Sequence, residues 1–267
     1  GTFSDGTSDA YDGGYRITLN GMSYSPSGSP TTSLSGRQVE MPVQTMGTFT
    51  LQRLVYVPAT GGDYARIADI IVNTASTDQM ANVNYDTNLG SDGSEAIMFT
   101  ASGDTACDTM DNWCESDVSG GSSFMSDPSL ATVYQGDGAA VHVASQSYGG
   151  GDNSWSFGFM VPAGGRAVLL TFAIQKDHTM PMLARDEAVR LVALPDDAMV
   201  GMDDYLGDIV NFQSDTAGAP RIRFMGATSV NEGDAADIML SVIDVGGTST
   251  WTWDVNGDGT FGDMPGV

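Results

Sequence analysis

The sequence is short of basic residues: one lysine and nine arginines stand against 34 acidic residues, and the formal net charge is −24. A protein that binds nucleic acid neutralises phosphates with a basic surface, so this charge excludes nucleic-acid binding. It also disfavours docking to anionic lipid. Because the sequence has no run of eighteen apolar residues, no membrane-spanning helix is predicted.

Recognisable catalytic motifs are lacking as well. His142 and His178 fall in different predicted elements, and no serine stands in a nucleophile-elbow pattern, so no catalytic triad is predicted. No glycine-rich phosphate loop joins a strand to a helix. A pair of carboxylates is uninformative in so acidic a chain. The sequence therefore predicts a protein that is not an enzyme.

The abundant residues indicate β structure with many turns. The acidity is nearly all aspartate, and glycine occurs 34 times. Aspartate and glycine favour turns and disfavour helices. Short runs of strand-forming residues alternate with Gly, Pro, Asn and Asp clusters, which is typical of antiparallel strands. The predicted strands are 15–19, 38–43, 48–57, 65–72, 81–85, 96–100, 131–135, 139–144, 155–160 and 167–174.

Two stretches depart from this pattern. Residues 101–128 are irregular and are predicted to form a long loop. Residues 178–194 carry apolar residues at helical spacing, with Pro181 near the start and Pro195 beyond the end. A second short helix or a pair of turns is expected over 196–212. We expect these helices to pack on an edge of the preceding strands.

The resulting prediction is a mostly β protein. Residues 1–212 form a large antiparallel β-sandwich with a small helical appendage near 179–212. Residues 213–220 form a linker. Residues 221–267 supply the first strands of an immunoglobulin-like sandwich, and three strands are too few for an independent domain, so this module is expected to be truncated.

The two cysteines, Cys107 and Cys114, lie close together in a polar stretch. A metal site would need more ligands nearby. A local disulfide fits better than two unpaired surface thiols, and it implies an oxidising compartment outside the cytoplasm. A processed secreted protein would also begin without methionine, as this chain does with Gly1.

Two regions resemble parts of known secreted proteins. Residues 221–263 resemble the opening of a PKD-type (polycystic-kidney-disease) immunoglobulin-like domain, on the segments Val230–Asp234, Leu240–Asp244, Trp251–Asp254 and Gly257–Thr260. Residues 9–212 resemble an uncharacterised β domain that precedes such modules in large secreted bacterial proteins. That resemblance implies a modular, multidomain parent and no particular chemistry. The matching segments are Asp9–Gly14, Leu54–Pro58, Asn88–Ser94, Ser102–Asp104, Asp127–Leu130, Val161–Gly165 and the closing stretch 194–212.

The main candidate site is a calcium loop near the C-terminal end. Oxygen ligands at alternating positions, followed by glycine, allow a short loop to wrap a hard cation. The candidate ligands are Asp254, Asn256, Asp258, Thr260 through its carbonyl, and Asp263. Since Asn-Gly and Asp-Gly also favour tight hairpin turns, a β-hairpin is the alternative. Four aspartates in the 101–128 loop, Asp104, Asp108, Asp111 and Asp117, are a second group, for which a solvated acidic face is favoured over chelation.

These observations predict a secreted or cell-surface bacterial protein with a structural and adhesive role. Sandwich modules in series, rigidified by calcium, would build a filament or matrix. The expected partners are other copies of the chain or other surface proteins, and an incomplete final module offers an open edge for strand addition. The alternative is a carbohydrate-binding accessory module of a secreted polysaccharide-degrading enzyme. A shallow groove with exposed Trp or Tyr would distinguish that alternative.

Overall fold

The computed structural model describes residues 10–89, 95–118, 127–177 and 180–212, together with four short strand segments after residue 220. The chain divides into two compact units, Gly1–Gln213 and Ser214–Val267. The predicted mostly β composition is confirmed. None of the helices in the described ranges has the length and apolar character needed to cross a bilayer.

The first unit contains fourteen strands and one α-helix among its described residues. Three short 3-10 helices, Leu34–Gly36, Asp196–Met199 and Asp203–Asp208, complete it. The helix α1 is Pro181–Val192. The strands are β1 Tyr11–Leu19, β2 Met22–Ser23, β3 Thr31–Ser33, β4 Gln38–Glu40, β5 Gln44–Met46, β6 Phe49–Tyr56, β7 Tyr64–Asn73, β8 Gln79–Leu89, β9 Glu95–Thr100, β10 Trp113–Val118, β11 Ser129–Val133, β12 Ser145–Gly149, β13 Asp152–Val161 and β14 Arg166–Lys176.

The strands form two antiparallel sheets. One has five strands in the order β12-β13-β8-β1-β2. The other has nine, in the order β3-β4-β6-β7-β14-β11-β10-β9, with β5 paired to β6. Short hairpins such as β12–β13 account for some neighbours, whereas β14 lies between β7 and β11, far from both in sequence.

Residue patterning explains how the sheets pack. In β13, Trp155, Phe157 and Phe159 are buried and alternate with more exposed residues, as the period of two predicts. In β14, eight consecutive residues from Ala167 to Ile174 are buried, so both faces of this central strand are covered, which confirms the prediction. Both sheets contribute to one apolar cluster. Its members include Ile17, Leu19, Val83, Tyr85, Trp155 and Phe157 from the five-stranded sheet and Phe49, Leu51, Ile67, Ile71, Leu130 and Leu169 from the nine-stranded sheet.

The helical segment was expected at an edge of the strands, and this expectation is wrong. Ala184, Ala188 and Leu191 of α1 are buried in a second apolar cluster with Leu170 and Phe172 of the central strand β14. The small alanine side chains let the helix backbone approach the sheet closely. The helix thus covers part of the outer face of the nine-stranded sheet.

A buried arginine and a buried asparagine fix the segment that follows α1. The Arg66 guanidinium, on β7, donates to the carbonyl oxygens of Ala198 and Val200 at 2.7 and 2.9 Å. Burial lowers the pKa of Arg66 to about 10. The Asn211 side chain exchanges hydrogen bonds with the backbone of Leu170 and so continues the sheet contacts beyond the strand.

Two sequence predictions about individual strands are wrong. The predicted loop 101–128 contains the strand β10, which pairs with both β9 and β11. The predicted strand 139–144 is irregular, because Val141 N donates to Val210 O and Val143 N donates to the Gln135 side chain rather than to a neighbouring strand. The adjacent strand is instead β12, Ser145–Gly149.

Four strand segments are described in the second unit. β15, Arg221–Phe224, pairs with β16, Leu240–Ile243, and β17, Thr252–Trp253, pairs with β18, Met264–Pro265. All are antiparallel. The immunoglobulin-like assignment of this region stays a prediction.

Candidate functional site

The predicted calcium ligands Asp254, Asn256, Asp258, Thr260 and Asp263 lie outside the described residues. The chain around them is described only at β17 and β18. The calcium loop and its hairpin alternative therefore both stay open.

The two cysteines are brought together as the sequence predicted. The structure joins Cys107 and Cys114 in a disulfide, with their Cα atoms 5.9 Å apart. Cys114 is buried in β10 of the nine-stranded sheet. Cys107 Sγ lies 3.4 Å from the amide nitrogen of Gln146, on β12 of the five-stranded sheet, and 3.6 Å from the Tyr134 hydroxyl. The disulfide therefore holds the loop against residues of both sheets, and we call this arrangement the disulfide clasp.

The aspartates near the clasp shape the loop. Asp111 is buried, and its carboxylate accepts hydrogen bonds from the backbone nitrogens of Ser102 and Asp108 at 2.8 and 3.0 Å. Asp117 is also buried and accepts from the Ser129 hydroxyl. The expected solvated acidic face is thus wrong for these two residues, because loop and strand donors draw them inward.

The other two aspartates of this group are exposed. Asp104 accepts a hydrogen bond from the backbone nitrogen of Ala106, which lowers the pKa of its carboxyl. Asp108 accepts one from the backbone nitrogen of Met110. Within the described ranges, no three His, Cys, Asp or Glu side chains are placed to hold a metal ion together.

A buried ion pair lies between the two sheets. Arg53 on β6 donates to both carboxylate oxygens of Asp69 on β7, at 2.8 and 2.9 Å, and both side chains are almost fully buried. Tyr85, on the opposite sheet, donates its hydroxyl to Asp69 at 2.8 Å. Although burial disfavours the charged guanidinium, the Asp69 carboxylate raises the pKa of Arg53. This network fixes the position of one sheet relative to the other.

Tyr15 makes a second set of polar contacts between the two sheets. Its backbone has a φ of 54°, which is rare for an aromatic residue and coincides with an irregularity in the β1–β8 ladder. Its carbonyl oxygen accepts a hydrogen bond from Arg53, and its hydroxyl lies 2.9 Å from that of Thr132 on the other sheet. The left-handed backbone costs energy that these buried contacts offset.

One buried acid has no such partners. Glu115 on β10 is fully buried, and neither of its carboxyl oxygens has a hydrogen-bond partner. It lies two residues from Trp113, which belongs to the cluster beneath α1, so the two side chains share that face of the strand. Burial, with the nearby charges of Asp117 and Glu95, raises its pKa to about 8. The side chain is therefore mostly protonated and neutral at pH 7.

A cavity of about 830 Å³ opens beside the start of α1. Its polar lining includes Asp63 and Lys176, the only lysine of the chain, whose ammonium lies 2.7 Å from the Asp63 carboxylate. Its apolar lining includes Val57, Met180 and Leu183, which are 42%, 46% and 47% exposed. The cavity thus offers hydrogen-bonding groups beside exposed aliphatic surface.

Glycine is needed in the wall of this cavity. A Cβ added at Gly62 would come 2.5 Å from the Tyr64 ring and 2.8 Å from the Glu187 carboxylate. Any larger residue would force the Tyr64 ring, the Glu187 side chain or the loop itself to move.

The described aromatic residues do not form an exposed binding platform. Trp113 and Trp155 are 6% and 1% exposed, and Trp155 stacks on Tyr85 with 5.0 Å between ring centroids. Trp251 lies outside the described residues, and the side chain of Trp253 is not described. Where side chains are described, the groove with exposed Trp or Tyr that would favour the carbohydrate-binding alternative is not found.

No protein-family model matches the chain, and no curated protein matches it either. Similar solved structures include a candidate kojibiose phosphorylase from human microbiome, at 7% identity and a TM-score of 0.43, over 71% of this chain and 25% of that one.

Two others are lyases. A heparan sulfate lyase HepC mutant from Pedobacter heparinus has 10% identity and a TM-score of 0.40, over 85% of this chain and 30% of that one. A polysaccharide lyase has 12% identity and a TM-score of 0.34, over 62% of this chain and 26% of that one. The chain spans less than a third of the length of each structure, and at these scores no inference about its activity follows.

Three features of the interior were not predicted from the sequence. Asp69 stands inside an apolar strand, and a lone acid in such a run is the one available signal for a buried ion pair. Glu115 carries no such signal, because it lies in a polar stretch. The cavity depends on four separate parts of the chain meeting, so no local pattern indicates it.

Proposed function

We propose that this chain is part of an extracytoplasmic, modular β scaffold with a structural and adhesive role. The observation that carries this proposal is the disulfide clasp. A disulfide persists in oxidising compartments and is rare in reducing ones. Its position between the loop and residues of both sheets fits a protein that keeps its shape outside the cell.

The interior supports the mechanical part of the proposal. We take the two sheets that share a core to be a β-sandwich, with the Arg53–Asp69–Tyr85 network as a fixed tie between them. Breaking a buried ion pair is costly, so such a tie resists sliding of one sheet over the other. A module of this kind transmits force between its neighbours without changing shape.

Calcium has a place in this proposal through the loop of Asp254, Asn256, Asp258, Thr260 and Asp263. A bound cation would stiffen the second unit and reduce repulsion between acidic modules in a chain of net charge −24. The partners are other copies of the chain or other surface proteins.

The location is tested in the source cells. Thiols are blocked with an alkylating agent at lysis, and cytoplasmic and extracellular fractions are digested without reduction. We expect the protein in the extracellular or surface fraction, with the peptides of Cys107 and Cys114 linked. Alkylated cysteines in the cytoplasmic fraction would contradict the proposal.

A second candidate function is carbohydrate binding at the cavity. The cavity supports it because hydrogen-bonding side chains lie beside aliphatic surface, as in many small-molecule sites. An uncharged polyol suits it better than an anion does, since the chain is strongly acidic.

Glycan-array binding tests this second candidate. Retention of a glycan by the full chain, lost in Lys176→Ala and kept in Arg185→Ala, would support the cavity. Arg185 is a matched control because it is a cation on α1 outside the cavity that pairs with its neighbour Asp186. Equal binding by both variants, or none by the wild type, would contradict the candidate.

A further inference from the structure

Among the described residues the two sheets have five outer strands, because β5 pairs only with β6, and these differ in how their edges are protected. β12 and β2 bound the five-stranded sheet, and β3 and β9 bound the nine-stranded sheet. An outer strand presents unpaired backbone N–H and C=O groups that another strand can join. Proteins block this pairing with short strands, prolines, bulges or charged residues.

Four of the five edges carry such protection. β2 has two residues, β5 has three, and β3 has three and follows Pro30. β9 contains Glu95 and a bulge, because Glu115 pairs with Phe99 and Ser116 pairs with Ile97, which leaves Met98 unmatched. Each of these features limits the number of regular hydrogen bonds that a new strand can make.

Within the strand itself, β12 has none of these features, and the irregularity at which Ala144 and Ser145 both oppose Ser156 lies at its start. Its five residues, Ser145–Gly149, include no charged residue and no proline. Its register with β13 runs without interruption from the Ser145–Ser156 pair to the Gly149–Asp152 pair. Ser145, Ser147 and Gly149 are exposed and small, so no bulky side chain blocks an approaching strand.

The hydrogen-bond alternation identifies the outward groups of β12. Leu89 N donates to Gly151 O, so every second residue of β13 from Gly151 onward directs its backbone groups at β8. Asp152, Ser154 and Ser156 therefore direct theirs at β12. By register these meet Gly149, Ser147 and Ser145, which leaves the backbone groups of Gln146 and Tyr148 facing outward.

Among the described residues, the outward backbone groups of Gln146 and Tyr148 have no hydrogen-bond partner. In the described part of the chain, no backbone or side-chain hydrogen bond reaches the outer side of β12. The strand itself is held firmly from the inner side. The Gln146 side chain donates to Asn153 at 2.7 Å, and the Ser145 and Ser156 hydroxyls lie 2.6 Å apart. The edge is therefore fixed in place and open.

We propose that β12 pairs antiparallel with β12 of a second copy of this chain, about a two-fold axis at Ser147. Gln146 of each copy then faces Tyr148 of the other, and their outward backbone groups are mutually satisfied. The two five-stranded sheets join into one continuous sheet of ten strands.

Charge is the reason for choosing a second copy as the partner. Two chains of net charge −24 repel each other, and they approach most easily where a surface carries no charge. β12 itself carries no charged side chain, although the exposed Asp152 of β13 lies opposite its last residue, Gly149. Added salt screens the remaining repulsion, so dimerisation should strengthen with ionic strength. The inference depends on this edge and not on the extracytoplasmic role.

The test uses charge exchange at the axis. The two Ser147 residues would form a non-hydrogen-bonded pair, in which the side chains are closest. Like charges at this position should prevent pairing, and opposite charges should restore it. Ser147 is exposed, so the substitutions leave the fold intact, which circular dichroism verifies.

The chain of 267 residues and its variants are compared by analytical ultracentrifugation over a range of concentrations at low and high salt. We expect the wild type to approach twice its 27.9 kDa mass at high concentration, and more readily in high salt. Ser147→Asp and Ser147→Lys should each remain monomeric, and an equimolar mixture of the two should dimerise. A wild type that stays monomeric up to its solubility limit would overturn the inference. So would dimerisation of Ser147→Asp alone to the same extent as the wild type. Since these outcomes concern mass in solution, they leave the cellular location to the alkylation experiment.

Discussion

The buried carboxyl of Glu115 should make the stability of the protein fall as pH rises. In the folded chain this acid is fully buried, has no hydrogen-bond partner, and has a pKa raised to about 8 by burial and by the charges of Asp117 and Glu95. In the unfolded chain it ionises with an ordinary pKa near 4.5. Between these two values the folded state holds a proton that the unfolded state releases.

The size of the effect follows from proton linkage. The contribution of Glu115 to stability is fully present below its unfolded pKa and is lost as pH rises through its folded pKa. The slope is about 1.4 kcal/mol per pH unit for one proton, so the loss from pH 5 to pH 8 is about 3 kcal/mol. Glu115→Gln keeps the shape of the side chain and removes this proton.

The assay is urea denaturation of the full chain and of Glu115→Gln at pH 5, 6, 7 and 8. Other carboxyls titrate in both proteins, so the difference between the two unfolding free energies isolates Glu115. From pH 5 to pH 8, Glu115→Gln should gain about 3 kcal/mol of unfolding free energy relative to the wild type. Glu40→Gln, at a partly exposed position on β4, is the matched control for the removal of one acid. Parallel pH profiles for Glu115→Gln and the wild type would refute the reasoning.

Three further predictions concern the disulfide clasp, the interior ion pair and the calcium loop. Replacing Cys107 and Cys114 with serine should lower the unfolding free energy by about 2–3 kcal/mol, which is the loop-closure value for a short loop. Reduction of the wild type should likewise lower the urea concentration at its unfolding midpoint. An unchanged midpoint would contradict this prediction. Arg53→Met should lower the unfolding free energy by about 3–5 kcal/mol, because it leaves the buried Asp69 carboxylate without its cation. Adding Asp69→Leu should lower it little further. Strictly additive losses in a double-mutant cycle would show that the pair is not coupled. Calorimetric titration with calcium should show binding that Asp258→Asn weakens, whereas identical titrations for both proteins would favour the hairpin alternative.

The residue pattern predicted those strands in which buried residues either alternate with exposed ones or form one continuous apolar run. β13 alternates aromatic and small residues, and β14 is continuously apolar, so their positions in the core follow from side-chain period alone. α1 was predicted from its apolar spacing and flanking prolines. The position of α1 on the sheet was not predicted, because the burial of Ala184 and Ala188 depends on which strands lie beneath them.

Strand β10 shows why polar sequence misleads. Its segment Cys114–Asp117 contains two acids and a serine, a composition that favours a loop. In the folded chain Asp117 is satisfied by Ser129 of the neighbouring strand, and Glu115 is accommodated by taking up a proton. Neither adjustment follows from the local sequence, because the first needs Ser129 of β11 and the second results from burial in the folded chain. The Arg53–Asp69 pair is similar, since only the β6–β7 register places the two residues opposite each other.

Imaging of the native assembly by cryo-electron microscopy, on material from the extracellular or surface fraction, tests the scaffold proposal most directly. The account predicts copies of the chain in repeated contact through defined β surfaces, with the disulfide clasp formed in each copy. Isolated single chains from a reducing compartment, each holding a small molecule in the cavity beside α1, would contradict it.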